Sequence, residues 1–252
     1  MFNIVFPEKI NQRYYEIHFR YVLNIFKYLK CTINFEPRDN FTVTINGKDV
    51  LFDYADTHES INSSLPIFKF HCTGDTNSIP FSPVSFYNWE QYYKLEQEIR
   101  YQAEGFISYR QREYGGAKER RSKIKQLLSG VSDVQMNNLA QIDYWMDVKH
   151  CMVALFVPGY CNNMIDRGQF QYMAFGCCTI SPNLPELLPF GKKLIPGKHY
   201  IQCKDDYSDL FEKIEFCRIN KDTCLEIGKN AKTLFKQTSI PEALGEWIEN
   251  KL

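Results

Sequence analysis

The sequence predicts an α/β protein of two βα-rich halves, each built on a parallel sheet, with a cleft between them. Three observations lead there. Short apolar runs of strand length, such as FNIVF, CTINFE and MVALFVPG, alternate with longer segments whose apolar residues recur at helical spacing. Pro80 and Pro83 then break the chain, and the order of elements starts again beyond residues 84–95, which divides it into 1–90 and 91–240. Finally, PEALGEWIENKL (residues 241–252) carries Ala243, Leu244, Trp247 and Ile248 on one helical face, too apolar to leave in water. Pro241 separates it from the preceding helix, so this last helix is expected to return and pack on the first half.

In the first half, FNIVF is a strand and NQRYYEIHFRYVLNIFKYLK a helix, capped by Asn11, with Tyr15, Phe19, Val22, Phe26 and Leu29 on its core face. CTINFE is a second strand. FTVTI and KDVLFDY meet across Asn46-Gly47, as a hairpin or as two strands at a tight turn. The run LPIFKFHC forms another strand, and NWEQYYKLEQEIRYQ follows the prolines as a helix. In the second half the strands are GFISYR, DVQMN, MVALFVPG, CTISP and HYIQC. Between and after them come the helices AKERRSKIKQLLSG, IDYWMDVKHC, RGQFQYMAFG, DYSDLFEKIEF with Ser208 as its cap, and NKDTCLEIGKNAKTLFKQ with Cys224, Ile227, Ala231 and Leu234 inward.

Composition limits the function. Lys plus Arg and Asp plus Glu both number 30, so no global charge favours nucleic acid or an anionic membrane, and any anion site must be local. Nine cysteines without a C-x-x-C pair fit reduced, buried thiols better than a disulfide framework. The start of the chain has only a five-residue apolar run before Pro7, which argues against a signal peptide or anchor and for a cytoplasmic location. No apolar run is long enough to span a bilayer, so no integral membrane segment is expected.

Chemistry in open α/β sheets gathers beyond the carboxyl ends of strands. Asp53, Asp56, His58 and Glu59 lie just past one such end, and His71 and Asp75 past the next. In the second half, the loop after FISYR carries Arg110, Arg112, Gly115 and Gly116, with Arg120 and Arg121 following on the helix. The glycines permit close backbone approach, although the spacing is not that of a phosphate-binding P-loop. The strand MVALFVPG ends at Pro158-Gly159 and leads through Asp166 to Arg167 and Gly168 at a helix start. A cation there opposes the helix dipole. Two readings account for it: Arg167 and the free N–H groups hold an anion such as a phosphate, or Arg167 pairs with Asp166 or Glu186. Together the two cationic loops suit a diphosphate. The cluster DDYSD precedes a helix and reads as capping rather than as a metal site. His71 and His199 are candidates for the cleft wall, while the five histidines lack metal-ligand spacing.

Three stretches resemble the protein O-glucosyltransferases and the related capsule-associated xylosyltransferases. They run from VLFDYADTHES to FYNW, over FISYRQREYGGAKERR, and from VKHCMVALFVPG through IDRGQFQYMAFGCC to PELLPFGKKLIPGKHYIQCKDDYSDL. Their collinear order carries the resemblance. It implies a GT-B-like fold of two Rossmann-like domains with a terminal helix crossing back, and inverting, metal-independent transfer of glucose or xylose from a UDP-sugar to an acceptor hydroxyl. No cofactor is implied, and the partners are the nucleotide sugar and a glycan or glycoprotein acceptor. Asp53-Tyr54 matches the family's catalytic aspartate and the aromatic residue after it. Because Ala55 stands where the family carries proline, Asp56 remains a rival base. Arg110 and Arg167 match the arginines that hold the donor diphosphate, with Arg112, Gly115, Gly116, Pro158, Gly159, Asp166 and Gly168 beside them. His58, His71, Asp75 and Glu186 are acceptor-side or cleft candidates. Gln111 replaces the glycine that usually follows the strand-ending arginine. A nucleotide-sugar epimerase and a sugar-nucleotide-binding module without turnover are the competing expectations on the same scaffold.

Overall fold

The computed structural model describes residues 2–10, 13–39, 41–74, 77–82, 86, 88–98, 107–113, 115–136 and 139–252. The expected cap Asn11, the breaker Pro83 and the site candidate Asp75 lie outside the described residues. The chain divides into two compact units. Unit 1 comprises Met1–Tyr93, Glu186–Lys193 and Gln237–Leu252; unit 2 comprises Lys94–Pro185 and Leu194–Lys236. The sequence reading kept Glu186–Lys193 within the second half, whereas this segment clusters with unit 1.

In unit 1, β1 (Asn3–Pro7), α1 (Arg13–Tyr28), β2 (Thr32–Glu36), β3 (Thr42–Ile45), β4 (Lys48–Asp53), β5 (Ile67–Lys69) and β6 (Ile79–Pro80) precede α2 (Trp89–Gln97), whose residues from Lys94 onward belong to unit 2. The strands form one sheet in the order β2-β1-β3-β4-β5-β6. It is mixed rather than parallel, because β3 runs antiparallel to both β1 and β4. The cause is local: Asn46 and Gly47 adopt φ values of 52° and 81°, the left-handed pair of a two-residue hairpin turn, so the chain reverses without a crossover helix. The remaining strands β1, β2, β4, β5 and β6 share one direction, and their carboxyl ends share one edge. Pro80, expected only as a breaker, sits in the edge strand β6, where a missing N–H is tolerated.

Phe19, Val22 and Phe26 of α1 are buried as expected, while Tyr15 and Leu29 are half-buried. The terminal helix α8 (Pro241–Lys251) packs on α1. Gly245 allows this, since a Cβ there would come within 3.0 Å of Leu29 Cδ1, and the Trp247 indole N–H donates to the Pro80 carbonyl at 2.8 Å.

Unit 2 contains β7 (Ile107–Ser108), α3 (Lys118–Leu128), β8 (Val134–Gln135), α4 (Gln141–His150), β9 (Val153–Leu155), α5 (Arg167–Phe175) and β10 (Cys178–Ser181). The hairpin β11 (Leu187–Leu188) and β12 (Lys192–Lys193) belongs to unit 1. Unit 2 resumes with β13 (Ile201–Gln202), α6 (Leu210–Ile219) and α7 (Lys221–Thr238), whose last two residues are counted with unit 1. Its sheet runs β13-β10-β9-β7-β8, and every pairing is parallel.

One face of this sheet, with Ile107, Tyr109, Val153, Leu155 and Ile180, is closed by α3, α6 and α7. The alternate residues Ser108, Thr179 and Ser181 are small, polar and buried, which leaves room for buried polar side chains. Cys224, Ile227, Ala231 and Leu234 of α7 are all buried, as their spacing predicts. Ser208 does not cap α6. The residue before that helix is Asp209, which makes no side-chain cap; its Oδ1 instead accepts from the Lys204 N–H at 2.8 Å. All nine cysteines are free thiols, and seven are buried.

Candidate functional site

The strand order of unit 2 fixes where a ligand has access. The chain builds β7, steps to β8 on one side, then returns past β7 to β9 and continues to β10 and β13. The reversal lies between β7 and β9, and the crevice outside the carboxyl ends of such a pair is the ligand position of doubly wound sheets. The two loops that open there are the ones the sequence singled out.

The side chains at that edge have distinct tasks. Arg121, expected only as one of two arginines on the helix, is 4% exposed and ties three backbone segments together. Its guanidinium donates to the Val157 carbonyl at 2.9 and 3.2 Å, to the Arg112 carbonyl at 3.0 Å and to Asp166 Oδ2 at 3.0 Å. Arg120 holds the Pro158 and Gly159 carbonyls at 3.1 and 2.6 Å. Gln111 accepts from the Val157 N–H at 2.5 Å, bridging the ends of β7 and β9. The amide side chain thus prolongs the contact between the two strands.

Arg110 is engaged in unit 2 itself. Its guanidinium forms a two-pronged ion pair with Asp147 of α4, at 2.9 and 2.6 Å, and Ser108 Oγ donates to the same carboxylate at 3.0 Å. Asp166 caps α5 by accepting from the Gly168 N–H at 2.7 Å. It therefore supplies part of the negative charge that the helix start attracts, and its other oxygen goes to Arg121. Arg112 and Arg167 are the exposed arginines of these two loops. Gly115 has φ 57° and uses the left-handed region, whereas Gly116 accommodates a neighbour: a Cβ there would lie 2.6 Å from the Tyr160 ring.

Unit 1 gathers a second set at its own carboxyl edge. Asp53 and Lys69 are register partners on the adjacent strands β4 and β5. Their Oδ2–Nζ distance is 2.8 Å, and the side chains are 1% and 0% exposed. The other oxygen of Asp53 accepts from the Ala55 N–H at 3.0 Å. Asp53 thus occupies a sealed ion pair instead of facing an acceptor. The loop beyond it places Asp56 and His58 against His71 and Glu186. His71 Nε2 is 3.2 Å from Asp56 Oδ1, and His71 Nδ1 is 2.9 Å from Glu186 Oε1. His58 Nε2 reaches the same Glu186 oxygen at 3.1 Å. Glu186, the first residue of the segment that joins unit 1, is 1% exposed there. Among the described residues, no group of three or more His, Cys, Asp or Glu is placed to hold a metal ion.

Burial alone lowers the His71 pKa, but the charge and hydrogen bonds of Glu186 and Asp56 outweigh it and raise the group to about 10. The native state therefore binds this proton more tightly than the unfolded chain does. The stability it contributes is complete below the unfolded value of about 6.5 and is lost as pH rises through about 10. Urea midpoints measured across this window should fall with pH, and His71→Gln should flatten the slope. An equal slope in the variant would place the titration elsewhere.

Lys69 and Asp147 were not recognised as parts of these sites from the sequence, and Gln111 and Arg121 were placed in the stretch without the bonds they make. Lys69 had a readable signal, a lone cation inside the apolar strand IFKF, which burial requires to be paired. Asp147 had none, since an acidic residue in an amphipathic helix ordinarily faces water.

No family model matches the chain. An uncharacterized protein, 179R of Invertebrate iridescent virus 6, is 32% identical over 85 residues, which span 31% of this chain and 7% of that protein. Among solved structures, a glycosyltransferase from Rickettsia africae ESF-5 aligns over 96% of this chain and 82% of its own, with a TM-score of 0.47 and 9% identity. Among the described residues, no helix is long and apolar enough to cross a membrane.

Proposed function

We propose that the chain is a glycosyltransferase that moves a sugar from a nucleotide sugar to an acceptor hydroxyl. The observation that carries this reading is the crevice at the carboxyl edge between β7 and β9, whose loops carry the exposed cations Arg112 and Arg167. Arg120 and Arg121 brace the backbone of those loops, so the cations stand on a preorganised frame. A diphosphate leaving group gains negative charge as its bond to the sugar breaks, and fixed cations beside it stabilise that change. The collinear resemblance supports a UDP-sugar, with glucose or xylose as the transferred unit, inversion at the anomeric carbon and no requirement for a metal ion. Arg110, held by Asp147, has in this proposal the task of fixing the loop after β7.

One observation favours a second reading. Asp53, the residue that the resemblance would make the base, is sealed against Lys69, as suits a module that binds a sugar nucleotide without turning it over. Release of UDP from UDP-glucose and UDP-xylose, followed with a panel of methyl glycosides and with or without chelator, separates the two. Transfer that is indifferent to chelator is expected. Tight UDP-sugar binding with no UDP release supports the binding module, and sugar isomerisation without acceptor identifies an epimerase.

A further inference from the structure

The carboxyl edge of unit 1 carries a linear cluster of four side chains: His58, Glu186, His71 and Asp56. Its inner members, Glu186 and His71, are 1% and 4% exposed in their side chains, while the outer members, His58 and Asp56, are 26% and 42% exposed. Five groups here could accept a proton, and their surroundings separate them; Glu186 is 1% exposed and its Oε1 is shared by both histidines. Asp53 is closed off by Lys69. His71 lies between two carboxylates, each of which uses a ring nitrogen, so it has no lone pair to offer. Asp56 has its Oδ1 engaged by the His71 ring at 3.2 Å.

His58 is placed differently. Its Nε2 meets Glu186, and a carboxylate is acceptor-only, so that nitrogen carries the hydrogen and Nδ1 holds the lone pair. A half-exposed imidazole held from behind by a buried carboxylate is a general base fixed in one tautomer.

We infer that His58 takes the proton from the acceptor hydroxyl, with Glu186 as the positioning residue that fixes its ring. This rests on the proposed transfer reaction. The acceptor oxygen bonds to the anomeric carbon while the bond from that carbon to the diphosphate oxygen breaks. The hydroxyl proton passes to Nδ1 of His58, and the nucleoside diphosphate departs with the electron pair. The Nε2–H of the resulting imidazolium stays on Glu186, which is anionic and stabilises it.

The test measures UDP release from UDP-glucose with methyl glycoside acceptors, alongside UDP affinity, for the whole chain and two variants. His58→Ala should slow release by about 100- to 10,000-fold, the usual contribution of a general base, with UDP affinity unchanged. His58→Gln keeps a donor for Glu186 and hence the fold, and should be equally slow. Release by His58→Gln within about threefold of wild type, far short of that contribution, overturns the inference while leaving the transferase reading intact. A greater loss in Asp56→Asn than in His58→Ala also overturns it and makes Asp56 the base. A wild-type protein that releases no UDP from any nucleotide sugar refutes the transferase reading itself.

Discussion

Lys69→Met is expected to destabilise unit 1 by about 3–5 kcal/mol, the cost of leaving one member of a buried ion pair unpaired. The side chains of Asp53 and Lys69 are 1% and 0% exposed, so removing the ammonium strands a carboxylate with no water to replace it. Its remaining bond, to the Ala55 N–H, offsets only part of that loss. The double variant Asp53→Leu with Lys69→Met should recover most of the stability, because two apolar side chains bring neither charge out of water. Urea denaturation read through Trp89 and Trp247, both in unit 1, measures each variant. An unchanged midpoint for Lys69→Met would mean that the pair is solvated and that Asp53 is open to an acceptor.

Arg121→Met should destabilise unit 2 by a similar amount, about 3–5 kcal/mol, and should also weaken UDP binding. Arg121 donates to the Val157 and Arg112 carbonyls and to Asp166, so its loss leaves buried acceptors unsatisfied in both loops of the crevice. Both effects follow from one cause, the release of the frame that positions Arg112 and Arg167. Hydrogen exchange is the suitable measurement, with loss of protection expected at the Val157 and Gly168 amides. Intact protection at these amides together with normal UDP affinity would show that the loops hold themselves.

Most of the fold was legible in the sequence because its elements are strongly patterned. MVALFVPG reads as a strand covered on both faces, and Val153, Ala154 and Leu155 of β9 are all buried. The inward set of α7, Cys224, Ile227, Ala231 and Leu234, follows from 3.6-residue spacing alone. The hairpin at Asn46-Gly47 was legible too, but its consequence for the sheet was not drawn: a two-residue turn forces β3 antiparallel and makes the sheet of unit 1 mixed.

The candidate site was legible as a list of residues but not as a set of partners. Residue type and strand-end position picked out Arg110, Asp53, His58 and His71; a helix-start position picked out Arg167, and Glu186 entered as its possible partner. What each one touches depends on the register of neighbouring strands, as with Asp53 and Lys69, or on contacts across more than a hundred residues, as with His58 and Glu186. Periodicity carries no information about either. Asp166, read from the sequence as a possible partner of Arg167, instead caps the helix with its own carboxylate, a role that its position just before the helix start already allows.

Calorimetric titration of UDP into the protein, with Arg167→Ala in parallel, tests the central claim of a diphosphate site between β7 and β9 most directly. Saturable binding by the wild type is predicted, weakened in the variant by about 1.5–3 kcal/mol, the range for one charge-assisted contact, with the fold unchanged. Absence of UDP binding by the folded wild type, or equal affinity in Arg167→Ala, would contradict it.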